Sequence, residues 1–349
     1  MKRSVLKQIK TKREEVLSGA GVGEDCAIFS FPGDGLTAVC VQEAAVTQKD
    51  GARPAAAPQS GCAGQYAAKA SGGTGACTEP VMTMEQLIQK CANNLAADGA
   101  EPVAALIALL LPENTEEAQL KGLMREAEER CAGLGMEIAG GQTRISSAVK
   151  CPIATVTCLG RVPDRKVFTA GEVKPGQDVV VSKWIGLQGT AVLARRYREK
   201  LLARYPAYFV DEAAAFDRYQ SILPEAATAM KSGVCAMRDV SEGGIFGALW
   251  ELAEGAGVGL MIDMKKLPLR QETVEVCECC NVNPYCLLSE GSLLMTADDG
   301  AALAAALEAA QIPAAVVGKV TGSNERILLN DGEIRYLERP QSDGIWDGV

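Results

Sequence analysis

The stretch Met237-Arg238-Asp239-Val240-Ser241-Glu242-Gly243-Gly244 is followed directly by a run of apolar residues that reaches Gly259. Apolar side chains recur in that run at helical spacing, at positions 245, 249, 252, 253 and 256. The pattern therefore predicts an acid and a hydroxyl beside a glycine turn that opens a helix. A helix N-terminus presents unpaired N–H groups and a positive dipole end, which suits a phosphate. The simpler alternative is a helix capped by Ser241 or Asp239.

The composition is that of an acidic globular protein. The chain has 349 residues, of which 48% are apolar, and this length favours two domains. The net charge of −9 argues against nucleic-acid binding, because that affinity rests on basic surface. Since no apolar run approaches the length of a membrane span, we expect no association with the bilayer.

Cysteine and histidine content limits the possible chemistry. Thirteen cysteines without a secretory signal predict reduced thiols and a cytoplasmic protein. The sequence contains no histidine, which excludes Ser-His-Asp and Cys-His catalysis and histidine metal sites. Four cysteines between Cys277 and Cys286 admit a thiolate-bound metal, but small buried hydrophobic side chains are the simpler interpretation of that cluster.

Strand and helix patterns intermix in both halves of the sequence and predict an α/β or α+β protein with two domains and mixed sheets. The sequence pattern changes near residues 166–175. We therefore predict a boundary there between an N-terminal domain, residues 1–165, and a C-terminal domain, residues 166–349. Residues 47–82 are rich in Ala, Gly, Pro and Ser and predict a flexible insertion, because such a segment buries too little surface to offset its chain entropy. The insertion is either ornamental or a lid over a ligand.

Local patterns predict the elements around the candidate site. A helix runs from Thr83 to a stop at Asp98, and residues 103–111 form a buried strand. A second helix covers residues 116–131, with Asn114 or Thr115 as its cap. Residues 136–139 form a short strand that runs into the Gly-Gly-Gln-Thr segment at 140–143.

Three further segments combine small residues with an acid or an amide at the edge of a predicted strand. They are Gly23-Glu24-Asp25-Cys26-Ala27, Asn93-Asn94 with the following Asp98-Gly99, and Gly140-Gly141-Gln142-Thr143. With the stretch at 237–244, and in this order and spacing, they resemble the AIR synthase-related (PurM-like) superfamily. The resemblance covers about residues 15–45 and 83–340. It is strongest to the hydrogenase maturation branch, whose Ala-Met-Arg-Asp-x-x-x-Gly-Gly appears at 236–244 and whose Glu-Gly-x-Leu-Leu appears at 290–294.

The resemblance implies a fold, a cofactor and an activity. It implies a homodimer in which strands of the two N-terminal domains join into a barrel, beside an α+β C-terminal domain with a mixed sheet. It implies that ATP lies in a cleft between these elements and that acids of the N-terminal domain hold Mg²⁺, which prefers oxygen ligands. The implied activity transfers or activates phosphate on an oxygen or selenium nucleophile of a small-molecule or protein substrate.

The resemblance also implies site residues, although it assigns none of them a catalytic role. The ATP-binding set is Gly23, Asn93, Asn94, Gly140, Gly141, Gln142, Thr143, Asp239, Gly243 and Gly244. The Mg²⁺-binding set is Asp25, Glu24 and Glu43.

The sequence departs from the family pattern at several of these positions. Glu43 stands where the family usually has Asp, Asn94 where it has the Asp of an Asn-Asp pair, and Gln142 where relatives have His or an acid. Because amide oxygens neutralise less charge than carboxylates, we expect weaker Mg²⁺ binding and weakened, altered or absent phosphoryl transfer. The hydrogenase maturation branch ends in a Cys that carries a carbamoyl group, whereas the last Cys of this sequence is Cys286, so we do not expect that reaction.

Two functions remain open from the sequence. The first is an ATP- and Mg²⁺-dependent enzyme that carries out phosphoryl transfer or dehydration on an unknown substrate. The second is a catalytically degenerate nucleotide-binding scaffold or assembly protein.

Overall fold

The computed structural model describes residues 14–18, 26–30, 35–47 and 81–339. Within these ranges the chain forms two seven-stranded mixed sheets, one built from residues 16–162 and the other from residues 178–336. This is the mixed α and β architecture that the sequence predicts. Most of the predicted insertion at 47–82 lies outside the described ranges, but its last two residues, Val81–Met82, form a short strand and are not a loop.

The N-terminal sheet runs in the order β1-β2-β3-β7-β5-β6, with β4 paired in parallel to β3. Its strands are β1 (Val16–Ser18), β2 (Cys26–Ser30), β3 (Leu36–Val46), β4 (Val81–Met82), β5 (Glu101–Leu111), β6 (Glu137–Ile145) and β7 (Ile153–Val162). The strands β2 and β3 form an antiparallel hairpin, whereas β5 and β6 are parallel.

Two helices, α1 (Met84–Ala97) and α2 (Glu117–Gly133), cover one face of this sheet. Helix α1 begins with a capping box: the Gln86 N–H donates to Thr83 Oγ1 at 3.2 Å, and the Thr83 N–H donates to Gln86 Oε1 at 3.0 Å. The predicted helix from Thr83 is therefore confirmed. Helix α2 has Glu116 as its N-cap residue, so the caps predicted at Asn114 or Thr115 are wrong.

Side chains of the N-terminal sheet alternate between the helix-covered face and an open face. On the covered face Cys40 and Ile107 are 1% and 4% exposed, whereas on the open face Val41 and Leu106 are 54% and 41% exposed. The prediction of a wholly buried strand at residues 103–111 is therefore wrong for one face of β5. Because apolar side chains occupy both faces of β5, its sequence does not show the alternation between buried and exposed positions.

The Gly-Gly-Gln-Thr segment belongs to the edge strand β6 and does not follow it. A bulge at Ala139 shifts the pairing of β6 with β5, because Ala105 pairs with Ile138 and Leu106 pairs with Gly140. Gly141 approaches β5 so closely that a Cβ atom there would meet the carbonyl oxygen of Ile107 at 1.9 Å. The strand therefore continues through the glycines to Ile145, beyond its predicted end at residue 139.

The C-terminal sheet runs in the order β14-β13-β10-β12-β8-β11-β9. Its strands are β8 (Asp178–Ser182), β9 (Val234–Val240), β10 (Gly259–Asp263), β11 (Ser292–Ala297), β12 (Ala314–Thr321), β13 (Arg326–Asn330) and β14 (Glu333–Tyr336). The helices of this half are α3 (Leu187–Arg196), α4 (Arg198–Leu202), α5 (Ala207–Ala214), α6 (Leu223–Met230), α7 (Gly244–Ala256), α8 (Gln271–Cys280) and α9 (Gly300–Ala309). Among the helices of the described ranges, none has the length and apolar character that crossing a bilayer requires.

The helix predicted after residue 244 is α7, and it begins at a pair of left-handed glycines. Its N-cap is Gly243, with a φ of 77°, so the predicted caps Ser241 and Asp239 are wrong. A Cβ atom on Gly244 would meet the carbonyl oxygens of Tyr285 and Leu287 at 2.6 and 2.7 Å. These glycines therefore let the start of α7 pack against the loop at 285–287.

Candidate functional site

Four residues lie side by side across the open face of the N-terminal sheet. Glu43 pairs with Thr155, Thr155 with Ala108, and Ala108 with Gln142. Directly paired residues project from the same side of a sheet, so this open-face row places the Glu43 carboxylate and the Gln142 amide on one surface. The two outer strands of the row are roughly 14 Å apart, a distance that an extended ligand can span and a single ion cannot.

A cavity of about 290 Å³ opens above the open-face row. The row residues line it together with Leu109, Leu110, Arg144 and Ile153. Thr155 Oγ1 donates a hydrogen bond to Glu43 Oε2 at 2.7 Å, which orients the carboxylate. The cavity thus combines a carboxylate, a hydroxyl, an amide and a guanidinium, a set that suits a ligand with anionic groups and an accompanying cation.

Arg144, like Thr155, was not among the site residues predicted from the sequence. It lies two positions beyond Gln142 on β6, so both side chains project from the open face. If residues 140–145 are predicted as a strand, alternate side chains project from the same face, and Arg144 is then grouped with Gln142.

Other predicted residues lie beyond the helix-covered face, where α1 meets the C-terminal domain. We call this group the junction cluster: Lys90, Asn93, Lys183, Glu225, Asp239, Glu242 and Glu290. All of them except Glu242 are buried. Because these buried charges come from both domains, the cluster joins the two halves of the chain.

Hydrogen bonds of the Asn93 side chain link α1 to the C-terminal domain. Its Nδ2 atom donates to the carbonyl oxygen of Gln220 at 2.8 Å. Its Oδ1 atom accepts hydrogen bonds from the Ile222 N–H at 3.2 Å and from Gln89 Nε2 at 2.6 Å. The amide predicted to bind nucleotide is thus engaged within the protein.

Lys90 carries the positive charge on the α1 side of the junction cluster. Its Nζ atom lies 2.8 Å from Glu242 Oε1 and 3.6 Å from Glu290 Oε1. Burial alone would lower the pKa of Lys90, but the charges of Glu290 and Glu242 outweigh burial and raise it. Lys90 is therefore a permanent cation in this site.

Asp239 and Glu290 are neighbouring buried carboxyl groups. Burial raises the pKa of Glu290, although the charge of Lys90 opposes the shift. Two adjacent carboxyl groups in such a site tend to share a proton. Asp239 is the penultimate residue of strand β9, so this predicted residue lies in the sheet and not in the glycine turn.

Lys183 carries the positive charge on the other side of the cluster. Its Nζ atom donates to the carbonyl oxygens of Tyr219 at 2.9 Å and Ser221 at 2.7 Å, and lies 2.6 Å from Glu225 Oε1. Burial lowers the pKa of Lys183, against the charge of Glu225. Its backbone φ of 51° is a strained conformation for a lysine, and the surrounding contacts hold it there.

Asn94 lies under the N-terminal sheet, apart from the 290 Å³ cavity. Its Nδ2 atom donates to Cys40 Sγ at 3.4 Å, and it lines a separate cavity of about 10 Å³ beside Arg238. That volume holds at most about one water molecule. Within one chain, Asn94 and Asp239 are thus separated from Glu43 and Gln142, and the predicted residues Gly23, Glu24 and Asp25 lie outside the described ranges.

The cysteines near the end of α8 behave as hydrophobic side chains. Cys277 and Cys280 are buried, and burial raises the pKa of these thiols to about 12 and about 11. In the part of the chain that the structure describes, no group of three or more Cys, Asp or Glu side chains is arranged to hold a metal ion. The described residues give the thiolate-metal alternative no support.

Comparisons with known proteins agree with this architecture. Residues 23–162 match the AIR synthase related protein, N-terminal domain, and residues 174–329 match the AIR synthase related protein, C-terminal domain. The carbamoyl dehydratase HypE of Rhodobacter capsulatus is 32% identical over 61% of this chain and 61% of its own length. The match therefore spans about three fifths of that relative.

Solved structures resemble the whole fold at low sequence identity. The HypE-HypF complex has a TM-score of 0.70 at 19% identity, covering 97% of this chain and 99% of the other. AaThiL complexed with AMPPCP and TMP has a TM-score of 0.64 at 19% identity, covering 95% and 92%. HypE in complex with ATP has a TM-score of 0.62 at 16% identity, covering 92% and 89%. At these identities the likeness shows the fold.

Proposed function

The chain belongs to the AIR synthase related family, and we propose that it is an ATP- and Mg²⁺-dependent enzyme that transfers a phosphoryl group or drives a dehydration. Its substrate is a small molecule or a protein. The observation that carries the proposal is the open-face row with Arg144, which lines one 290 Å³ cavity with a carboxylate, an amide and a cation. Relatives that carry ATP or AMPPCP in their structures support a nucleotide ligand.

Each polar residue of the cavity has a role in this proposal. Arg144 binds phosphate oxygens, since a guanidinium matches their geometry and charge. Gln142 donates to or accepts from the nucleotide through its amide. Glu43, oriented by Thr155, holds Mg²⁺, which bound with phosphates needs only one or two protein carboxylates. The metal would neutralise triphosphate charge. Asp25 and Glu24 remain predicted as further ligands.

The open face also supports the proposed homodimer. Val41 and Leu106 are 54% and 41% exposed there, and β6 is an edge strand. Exposed apolar patches and unpaired strand edges are typical of protein interfaces. We infer that a second copy covers this face, joins the sheets into a barrel and closes the cavity between protomers. A reducing, cytoplasmic setting is part of the proposal, because the described cysteines form no disulfide.

A nucleotide-binding scaffold without catalysis is the second candidate. The observation that favours it is the engagement of Asn94 and Asp239 within the protein, which leaves Glu43 as the carboxylate that lines the described cavity. A scaffold would bind nucleotide without turning it over, and it would use its dimer to assemble partner proteins.

Titration calorimetry with ATP, in the presence and absence of Mg²⁺, followed by an ADP-release assay, separates the two candidates. Turnover that disappears in Glu43→Gln supports the enzyme. Binding without ADP release across carbamoyl and phosphate-ester substrates supports the scaffold. No binding at millimolar ATP would end both.

A further inference from the structure

Four buried cysteines meet on the helix-covered face of the N-terminal sheet. Cys26, Cys40 and Cys158 lie side by side on β2, β3 and β7, because Cys26 pairs with Cys40 and Cys40 pairs with Cys158. Cys91 packs onto them from α1. All four are at most 4% exposed. We call this group the thiol row; the site proposed for nucleotide does not use it.

Cys40 is the centre of the thiol row. Cys26 and Cys91 lie beside its sulfur, and Asn94 Nδ2 donates to it at 3.4 Å, whereas the Cys91 thiol donates to the carbonyl oxygen of Val156 at 3.5 Å. These contacts, with the one from Cys26 strongest, lower the pKa of Cys40 although burial opposes the shift. Cys277, equally buried but without such donors, has a raised pKa. Because Cys40 lies between Cys26 and Cys158 and accepts the hydrogen bond of Asn94, we assign it as the attacking sulfur, which reacts in its thiolate form.

The pairing register brings Cys26 and Cys40 within disulfide range. Directly opposed residues on antiparallel strands have Cα atoms about 4.5–5.5 Å apart. Disulfides span about 4.4–6.8 Å between Cα atoms, so the bond can form without a change of register. Cys158 also opposes Cys40, but its strand β7 lies inside the sheet between β3 and β5, whereas Cys26 begins the five-residue strand β2. The backbone at Cys26 can therefore adjust to a new bond with Cys40 more easily than the backbone at Cys158.

We propose that Cys40 and Cys26 are a redox-active dithiol that a hydroperoxide oxidises to a cross-strand disulfide. The Cys40 thiolate attacks one peroxide oxygen, the O–O bond breaks, and the leaving oxygen takes up a proton to form water or an alcohol. The Cys40 sulfenic acid is then attacked by the Cys26 sulfur, which forms the S–S bond and releases water. The two sulfurs together lose two electrons, and the peroxide gains them. Because the four thiols are at most 4% exposed, the oxidant must be as small as a hydroperoxide.

Oxidation also has a consequence for nucleotide binding, and this part rests on the proposed function. Cys26 directly follows the predicted Mg²⁺ ligand Asp25 in the sequence. A bond between β2 and β3 fixes the start of β2 to the strand that carries Glu43. We expect oxidised protein to bind ATP about tenfold more weakly than reduced protein, which corresponds to about 1.4 kcal/mol.

Peptide mapping tests the disulfide on the full chain. Reduced protein is treated with hydrogen peroxide, unfolded in N-ethylmaleimide to block remaining thiols, digested and analysed by mass spectrometry. We expect a linked pair of peptides containing Cys26 and Cys40. The link should persist in Cys277→Ala and Cys158→Ala and disappear in Cys26→Ala, with each variant's fold checked by circular dichroism.

Two results would overturn the dithiol. One is full alkylation of Cys26 and Cys40 under conditions that oxidise the half-buried thiol of Cys235. The other is a link between Cys40 and Cys158 in place of Cys26. Calorimetry with ATP before and after oxidation, and again after reduction, tests the consequence separately. Equal affinity in both forms removes the coupling but not the disulfide, whereas absence of ATP binding in both forms counts against the proposed function alone.

Discussion

The Nζ atom of Lys183 lies 2.6 Å from Oε1 of Glu225, and both residues are buried where the two domains meet. Removing one partner of such a pair leaves an uncompensated charge in the interior, which costs about 3–5 kcal/mol. We expect Lys183→Met to lower the free energy of unfolding by that amount, and Lys183→Met/Glu225→Leu to lower it by clearly less. Urea denaturation measures both.

The exposed pair of Lys121 and Glu117 provides the control for this prediction. Lys121→Met should change the free energy of unfolding by less than about 1 kcal/mol, because water screens that pair. If Lys183→Met/Glu225→Leu is as unstable as Lys183→Met, the charges of Lys183 and Glu225 do not compensate each other in the wild type.

Gly141→Ala should destabilise the edge of the N-terminal sheet. The added Cβ atom would meet the carbonyl oxygen of Ile107 at 1.9 Å, so the backbone of β6 must move away from β5. We expect a loss of about 3 kcal/mol in the free energy of unfolding, as for an overpacked core. Gly133→Ala is the control, since nothing lies within 4 Å of the position that its methyl group would take and Ala is the better helix former. Equal effects of the two substitutions would be evidence against the close approach.

Glu43→Gln should weaken the binding of ATP with Mg²⁺ and leave metal-free binding nearly unchanged. The amide keeps the shape of the side chain and loses the charge that the metal requires. We expect about a tenfold loss of affinity with Mg²⁺, equivalent to about 1.4 kcal/mol, measured by calorimetry. Glu137→Gln removes the same charge from the exposed start of β6, outside the cavity lining, and should have little effect. If both variants lose affinity equally, net charge and not a metal contact is responsible.

Arg144→Gln should weaken ATP binding whether or not Mg²⁺ is present, because its contact is with the phosphates themselves. The loss should shrink as salt concentration rises, since the contribution is electrostatic. Arg125→Gln, on the exposed surface of α2, is the matched control. Salt-independent loss of affinity would argue for a steric effect of the substitution.

Glu290 should make the stability of the protein depend on pH. Burial raises its pKa in the folded chain, so the folded state binds this proton more tightly than the unfolded state does. The stabilisation is complete below the ordinary value of 4.5 and disappears as pH rises through the folded-state pKa. Because Gln cannot ionise, the free energy of unfolding of the wild type minus that of Glu290→Gln should fall as pH increases above 4.5. A difference that grows with pH would reverse the assigned shift.

Local signals in the sequence were sufficient for α1. Thr83 and Gln86 form their capping box within one turn of the chain, so the sequence alone identifies the start of the helix. The segment at Gly140 was harder, because glycines weaken any strand pattern. Glycine is required at position 141 because the carbonyl oxygen of Ile107 on the neighbouring strand leaves no room for a Cβ atom. This contact joins residues far apart in the sequence, so a short stretch of sequence does not reveal it.

The candidate site was only partly predictable for the same reason. Family resemblance selected Glu43 and Gln142, and strand pairing brings them into one cavity. It could not foresee that Asn94 bonds to Cys40, or that Lys90 and Lys183 occupy the junction among carboxylates. These contacts depend on sheet register and domain packing, which join residues far apart in the sequence.

The ion pairs between Lys90 of α1 and the C-terminal residues Glu242 and Glu290 make the two halves of this chain co-dependent. In a fragment that carries either half alone, the charged side chains of these ion pairs would be exposed to water without their partners. Chimeras assembled from this protein and a relative should fold only when α1 and the loop before β11 come from the same parent. Recombination within the family is thereby restricted at this contact between the two domains.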